Sequence, residues 1–269
     1  MSGSGARDKG QGTRGWGLGT RDWAPGASRL GRLGAAIGLI LITLTGFVVP
    51  AFAVETQQVT FAARDGVQVT GVLYLPDKRP APAVLLLHML GRTHRDWDGA
   101  AARLAEAGIA ALSIDFRQGG GLQAAGGAAE GAYAGLVLDA SAARAYLAAR
   151  PEVMPGRIGI AGASIGANVA VLAAQNESSV RSLALLSVSA DYRGLKLEAA
   201  LRKFGSRPAL LVASNEDPYA LRSARQSVTW GNGPRELRVL SGAGHGTTML
   251  ARDPDLASAL VDWFLRTLL

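Results

Sequence analysis

A serine between two glycines, in the run Gly162-Ala-Ser164-Ile-Gly166, has the setting of a nucleophile. The apolar residues before it predict a strand and the alanine-rich residues after it predict a helix, which places the serine at a strand–helix turn. Such a turn is so tight that side chains two positions before and after the serine would clash, and glycine occupies both positions. The hydroxyl would lie at the helix N-terminus, where main-chain N–H groups stabilise negative charge. The pattern predicts that Ser164 is a nucleophile.

A serine hydroxyl needs a base within hydrogen-bond reach, and histidine is the side chain suited to take and return a proton near neutral pH. The chain has three histidines, His88, His94 and His245. His245 lies in the run Gly242-Ala-Gly-His245-Gly246, between the last predicted strand and the last predicted helix, and the flanking glycines let the backbone turn and present the ring. We expect His245 to be the base and His88 to be a structural residue that holds the loop after its strand.

An acidic residue is needed to orient the imidazole and to stabilise its charged form. Asp217 follows the penultimate predicted strand and precedes Pro218, a pair that is also typical of a helix N-cap. Asp217 is the candidate that we favour, because it lies at the C-terminal end of the penultimate predicted strand. The order Ser, Asp, His along the chain is the one that this type of site uses. Asp191, after the preceding strand, and Glu216, beside Asp217, remain alternatives.

The elements that must position these residues alternate between strand and helix from residue 54 onwards. Strands are predicted at 67–75, 83–88, 109–116, 157–161, 183–188, 209–213 and 237–240, and helices at 98–107, 133–149, 165–174 and 254–268. This alternation predicts an α/β fold, a doubly wound and mostly parallel sheet flanked by helices, with residues 67–75 as an antiparallel strand near one edge. Ligands of such sheets bind beyond the C-terminal ends of the strands, where all the candidates lie. The connection between residues 190 and 208 is too short for a cap domain.

Over residues 54–269 the chain resembles the α/β-hydrolase superfamily, and within it the small lidless esterases of the dienelactone hydrolase group. The residues that carry this resemblance are Leu85-Leu-Leu-His88-Met-Leu-Gly91, Asp115-Phe-Arg117, Gly162-Ala-Ser-Ile-Gly166, Glu216-Asp-Pro-Tyr219 and Gly244-His-Gly246. The resemblance implies an α/β-hydrolase fold and assigns the serine, the favoured aspartate and the loop histidine as nucleophile, acid and base. Many members of the group use a cysteine nucleophile, which this chain lacks.

The resemblance also implies an oxyanion hole made of two main-chain N–H groups. One belongs to Ile165, the residue after the nucleophile. The other comes from the loop after residue 88, and alignment on the family's His-Gly-x motif assigns it to Leu90. Met89 stands where glycine is usual, so that Met89 and Leu90 are both candidates. For Asp115 and Arg117 we expect structural roles.

Composition excludes several classes of function. The chain has no cysteine, which excludes disulfides, thiolate metal sites and a lipid-modified cysteine anchor. Of the net charge of +7, residues 1–53 carry +4, and the rest has no basic stripe, so a nucleic-acid partner is not indicated. We therefore expect a serine hydrolase that cleaves small-molecule or acyl esters without a metal or an organic cofactor. A peptidase or a thioesterase with the same residues, or a non-catalytic binding protein of the same fold, is the alternative.

The first 53 residues resemble an export signal. A basic segment is followed by sixteen uncharged, mostly apolar residues, 34–49, and then by Pro50-Ala-Phe-Ala53, a typical cleavage site. We expect cleavage after Ala53, an exported periplasmic or extracellular protein, and a hydrolase domain at residues 54–269. The alternative is an uncleaved N-terminal membrane anchor, although a spanning helix needs about 20 residues.

Overall fold

The computed structural model describes residues 54–117 and 133–269, and its main feature is a central sheet. The strands of this sheet are β1 (Glu55–Ala62), β2 (Gln68–Leu75), β3 (Ala81–Leu87), β4 (Ala110–Asp115), β5 (Val153–Ala163), β6 (Val180–Leu186), β9 (Ala209–Ser214) and β10 (Arg235–Leu240). Two short strands, β7 (Asp191–Tyr192) and β8 (Leu195–Lys196), form a separate hairpin. The helices are α1 (Asp98–Glu106), α2 (Ala134–Ala148), α3 (Ile165–Ala174), α4 (Glu198–Phe204), α5 (Pro218–Ser227), α6 (Thr248–Arg252) and α7 (Leu256–Leu268), with one 3-10 turn at His94–Trp97.

The sheet is parallel except at one edge. Its strand order in the described residues is β1-β2-β4-β3-β5-β6-β9-β10, and only the β1–β2 and β2–β4 pairs are antiparallel. All seven residues of β3 are buried, because helices cover the central strands on both faces. The predicted doubly wound, mostly parallel α/β fold is confirmed. The predicted antiparallel strand is β2, and the true edge strand β1 was not predicted.

Side chains that alternate along the central strands enter two separate cores. Leu85 lies in the core that contains α2 and α3, whereas Leu86 lies in the core that contains α1 and α7. Helix α7 buries the face that the helical spacing predicted: Leu256, Leu260, Trp263, Phe264 and Leu268. The two cores fix the strands, and therefore the loops at their C-terminal ends.

The connection between β6 and β9 is short, as predicted. Strand β6 ends at Leu186, two residues before the predicted end, because Ser187 has a left-handed φ of 52°. The rest of this connection forms the β7–β8 hairpin and α4, and no cap domain is present in the part of the chain that the structure describes. The buried Asn168 of α3 holds the connection: its amide donates to the carbonyl oxygens of Ser189 and Leu195, at 2.9 and 3.0 Å.

Two sequence predictions fall outside the described residues. These are the leader with its cleavage site, residues 1–53, and the glycine-rich segment within residues 118–132. Across residues 54–117 and 133–269, no helix combines the length and the apolar character needed to cross a membrane.

Candidate active site

Ser164 occupies a sharp turn between β5 and α3. Its φ and ψ are 53° and −119°, and it is one of three residues other than glycine with a left-handed φ in the described chain. A Cβ on Gly162 would lie 2.2 Å from the carbonyl oxygen of Gly166, and a Cβ on Gly166 would lie 2.5 Å from that of Leu87. Both glycines are thus needed for the backbone to make this turn, as the sequence predicted.

A continuous chain of hydrogen bonds joins Ser164, His245 and Asp217. The Ser164 Oγ lies 2.8 Å from His245 Nε2, and His245 Nδ1 lies 2.5 Å from Asp217 Oδ2. Because an ionised carboxylate only accepts hydrogen bonds, the Nδ1 atom carries the proton. The Nε2 atom is then left with a lone pair that accepts the hydrogen bond of the serine hydroxyl. This tautomer is the one in which an imidazole can act as a base toward the serine.

Asp217 also caps a helix, so its carboxylate contacts both the imidazole and the helix N-terminus. Its Oδ1 accepts a hydrogen bond of 3.0 Å from the N–H of Ala220 in the first turn of α5. The two carboxylate oxygens therefore have separate partners, one in the helix and one on the imidazole. The cap restricts the rotation of the side chain and directs the second oxygen toward His245.

The two alternative acids point to other partners. Asp191 accepts a hydrogen bond of 2.8 Å from the N–H of Gly194 within the β7–β8 hairpin. Glu216 is exposed and pairs with Arg252 at 3.4 Å. Of the three acids, Asp217 is the one that the structure brings to the histidine.

The loop after β3 is organised around His88. The ring is buried, its Nδ1 donates to the carbonyl oxygen of Met89 at 2.7 Å, and its Nε2 accepts from the N–H of Phe116 at 3.1 Å. Burial lowers the pKa of the imidazole, in agreement with this neutral tautomer. His88 thus has the structural role predicted for it and fixes the orientation of the peptide between Met89 and Leu90.

The predicted oxyanion donors come from the start of α3 and from the loop after β3. Ile165 is the first residue of α3, where a main-chain N–H has no partner within the helix. In the trans peptide after Met89, the N–H of Leu90 points away from the carbonyl that His88 holds. The Met89 sulfur packs on the histidine loop, 2.5 Å from where a Cβ on Gly246 would lie. Both Leu90 and Met89 stay candidates for the second donor.

Other residues singled out in the sequence serve the fold. Asp115 accepts hydrogen bonds from the main-chain N–H and the Nδ1 of His94, at 2.7 and 2.9 Å. Arg117 binds the fully buried Asp139 of α2 and also contacts Asp65. Both contacts raise the pKa of the Arg117 guanidinium by stabilising its charge. These interactions agree with the structural roles expected for Asp115 and Arg117.

Among four aromatic residues of the chain, Trp97, Tyr133, Tyr219 and Trp230, Tyr219 differs from the others in its exposure. Trp97, Tyr133 and Trp230 are buried in the cores, whereas Tyr219 is 51% exposed. The Tyr219 hydroxyl donates to the carbonyl oxygen of Asp191 at 3.0 Å, which holds the ring beside the acid loop.

Polar residues that the sequence did not single out hold the histidine loop. The Oγ of Ser187 accepts a hydrogen bond of 2.9 Å from the N–H of Gly246, and the hydroxyl of Thr247 donates to a carboxylate oxygen of Asp96. The residues of these pairs are 59 and 151 positions apart in the chain, so no local motif signals them.

Within the described ranges, no group of three or more histidine and acidic side chains is arranged to hold a metal ion.

Comparison with known proteins shows the family and the fold of the chain. Residues 69–267 match the model of the dienelactone hydrolase family. A search of curated proteins finds no match. A solved dienelactone hydrolase from Anabaena variabilis is 20% identical, with a TM-score of 0.68 over 80% of this chain and 99% of that one.

Two further solved structures show the same fold. The esterase domain of a Rhodothermus marinus protein is 20% identical, with a TM-score of 0.64 over 80% of this chain and 99% of that one. An acetyl xylan esterase from a Paenibacillus species is 17% identical, with a TM-score of 0.67 over 81% and 86%.

Proposed function

Since the chain belongs to the dienelactone hydrolase family and is therefore a hydrolytic enzyme, we propose that it is a serine hydrolase that cleaves carboxylic esters through an acyl-enzyme. The observation that carries the proposal is the chain of hydrogen bonds from Ser164 through His245 to Asp217, at 2.8 and 2.5 Å. A lactone is an internal ester, so the chemistry for which the family is named also favours ester substrates.

In the acylation step, the Ser164 Oγ attacks the carbonyl carbon of the ester while its proton passes to His245 Nε2. Asp217 keeps the imidazole in the Nδ1–H tautomer and stabilises the imidazolium that forms. The oxyanion accepts hydrogen bonds from the N–H of Ile165 and from that of Leu90 or Met89. The ester C–O bond then breaks, and the alcohol leaves with the proton from His245.

In the deacylation step, a water molecule attacks the carbonyl carbon of the acyl-enzyme. His245 accepts a proton from the water and returns it to Ser164 as the bond to the serine oxygen breaks. The products are a carboxylic acid and the free enzyme, so the cycle uses only protein groups and water. The substrates that fit this proposal are small-molecule or acyl esters.

The location of the reaction is a separate proposal. We propose that the protein is exported after cleavage near Ala53, because the basic segment, the apolar stretch and the small residues at 51 and 53 follow the pattern of a secretory signal. Retention of the leader would instead tether the enzyme to a membrane.

Stopped-flow kinetics with p-nitrophenyl acetate test the acyl-enzyme. We expect a burst of p-nitrophenolate, about one per enzyme, followed by a slower steady state that reports deacylation. His245→Ala should lose both phases. A series of p-nitrophenyl esters of increasing acyl length, run beside a thioester and a peptide, identifies the preferred class. Turnover of the peptide or thioester with none of the ester would contradict the proposal.

A further inference from the structure

The loop that carries His245 contains three glycines. Gly242, Gly244 and Gly246 all have a left-handed φ, of 65°, 78° and 60°. Glycine loses more conformational freedom on ordering than any other residue. The side chain of His245 is 48% exposed, so core packing does not immobilise it. The position of the ring therefore depends on its hydrogen bonds to Asp217 and Ser164 and on restraints on the loop. Before the base, the N–H of Gly242 donates to Asn215 Oδ1 at 3.0 Å, and that of Ala243 to Ser214 Oγ at 3.1 Å. After the base, two further restraints act on the loop.

The first restraint comes from the end of β6. The N–H of Gly246, directly after His245, donates to the Oγ of Ser187 at 2.9 Å. Ser187 is fully buried, and its own N–H donates to the carbonyl oxygen of Val212 at 2.8 Å. It also has a left-handed φ of 52°, like Ser164. Backbone strain of this kind persists where the surrounding structure enforces it and is concentrated at functional sites.

The second restraint comes from the 3-10 turn at His94–Trp97. Thr247, only 4% exposed, donates its hydroxyl hydrogen bond to a carboxylate oxygen of Asp96. Asp96 lies in the 3-10 turn that follows the loop with Met89 and Leu90, and its carboxylate also accepts from Nε of Arg92 at 2.9 Å. Asp96 therefore links the histidine loop to the loop that carries a proposed oxyanion donor.

We infer that Ser187 and Asp96 are positioning residues, which hold the loop of His245 through two separate contacts and set the distance from its Nε2 to the Ser164 hydroxyl. The inference deepens the proposed function and rests on it. In reactions of this kind, a misplacement of about 1 Å lowers the rate by about 100-fold. The restraints act on the two residues that directly follow the base, where a shift of the backbone moves the ring most.

Thr247 gives the sharpest test of the Asp96 restraint, because Thr247→Val keeps the shape of the side chain and removes only the hydroxyl. We expect kcat for p-nitrophenyl acetate to fall by about 10- to 100-fold with KM changed by less than about twofold. Thr247→Ser restores the hydroxyl and should recover most of the rate. Thr229→Val is the matched control, since Thr229 is exposed and its hydroxyl bonds only to the carbonyl of Gln226 at the end of α5. Its kcat should equal that of the wild type.

Ser187 allows activity to be separated from stability. Ser187→Ala and Ser187→Gly both remove the acceptor for the N–H of Gly246, so both should lower kcat by a similar factor. Glycine tolerates the left-handed φ and alanine does not, so Ser187→Gly should unfold at a higher temperature than Ser187→Ala. Rates that follow stability, with the glycine variant as active as the wild type, would show that Ser187 only supports the fold.

Proton NMR gives a readout specific to the ring. The Nδ1 proton of His245, bonded to Asp217, should give a far-downfield resonance in the wild type that broadens in Thr247→Val through faster exchange with water. Wild-type kcat and an unchanged resonance in both Thr247→Val and Ser187→Ala would overturn the inference while leaving the proposed function standing. If the wild type has no esterase activity, or if His245→Ala retains it, the proposed function fails and the inference fails with it.

Discussion

Asp217→Asn separates the two roles that the structure gives to one side chain. The Oδ1 atom accepts from the N–H of Ala220 and caps α5, while Oδ2 accepts from His245 Nδ1. An asparagine oxygen can still accept the helix N–H, so the cap is kept. Its amide nitrogen, however, donates hydrogen bonds and would face the Nδ1 proton of His245. The substitution therefore changes the imidazole tautomer and spares the helix.

The expected magnitudes follow from these two contacts. Loss of the orienting carboxylate should lower kcat by about 10³–10⁴-fold, which corresponds to about 4–5.5 kcal/mol in the activation free energy. Asparagine and aspartate are about equally good N-caps, so the free energy of unfolding should change by less than about 0.5 kcal/mol. Asp217→Ala removes the cap as well and should destabilise the protein by about 1 kcal/mol, or about 2–4 °C in Tm.

Steady-state hydrolysis of p-nitrophenyl acetate measures the change in kcat, and thermal unfolding of the same variants measures the change in stability. The matched controls are Asp191→Asn and Glu216→Gln, whose side chains bond to Gly194 and Arg252 and not to the histidine. Both should keep kcat within a few-fold of the wild type. A larger loss of kcat in Asp191→Asn than in Asp217→Asn would refute the assignment of the acid, and a large loss of stability in Asp217→Asn would refute the separation of roles.

Three further predictions concern the leader, the serine turn and a buried histidine. Protein purified from the producing cell should begin at Val54 by intact mass, and a membrane-bound species that retains residues before Ala53 would contradict export with cleavage. Gly166→Ala places a Cβ 2.5 and 2.6 Å from two carbonyl oxygens, and denaturant titration should show the fold destabilised by about 1–3 kcal/mol or more. Gly99→Ala is the control, because its Cβ would meet no neighbouring atom and should not destabilise the fold. Burial lowers the pKa of His88, so that the unfolded chain binds its proton first as the pH falls. The unfolding free energy should therefore decrease as the pH falls through about 6.5, and His88→Gln should flatten this decrease.

Local patterns were sufficient to predict the architecture and the candidate residues. Continuous apolar runs predicted the central strands, and helical spacing predicted the buried face of α7, because each depends on burial of the segment itself. The glycines at 162 and 166 predicted the serine turn, since the clash that they avoid lies partly within the turn. The candidates His245 and Asp217 followed from their places after the last two strands of the sheet.

Features that depend on distant partners could not be predicted in this way. Strand β1 is largely exposed and polar, and it is a strand because β2 pairs with it along its whole length. The left-handed φ of Ser187 and the bond between Thr247 and Asp96 depend on loops that only the folded sheet brings together. A local sequence pattern does not reveal such contacts, because the residues on either side of each partner do not differ from those of an ordinary loop.

Fluorophosphonate labelling of Ser164 is the most direct test of the proposed mechanism. The wild type should take up one label, located by mass spectrometry on the peptide that contains Ser164. Ser164→Ala should stay unlabelled while folding normally by circular dichroism, because the two glycines that permit the turn are unchanged, and its ester turnover should fall by about 10⁴-fold or more. Undiminished labelling of folded Ser164→Ala, or a wild type that takes up no label, would contradict a serine nucleophile at this position.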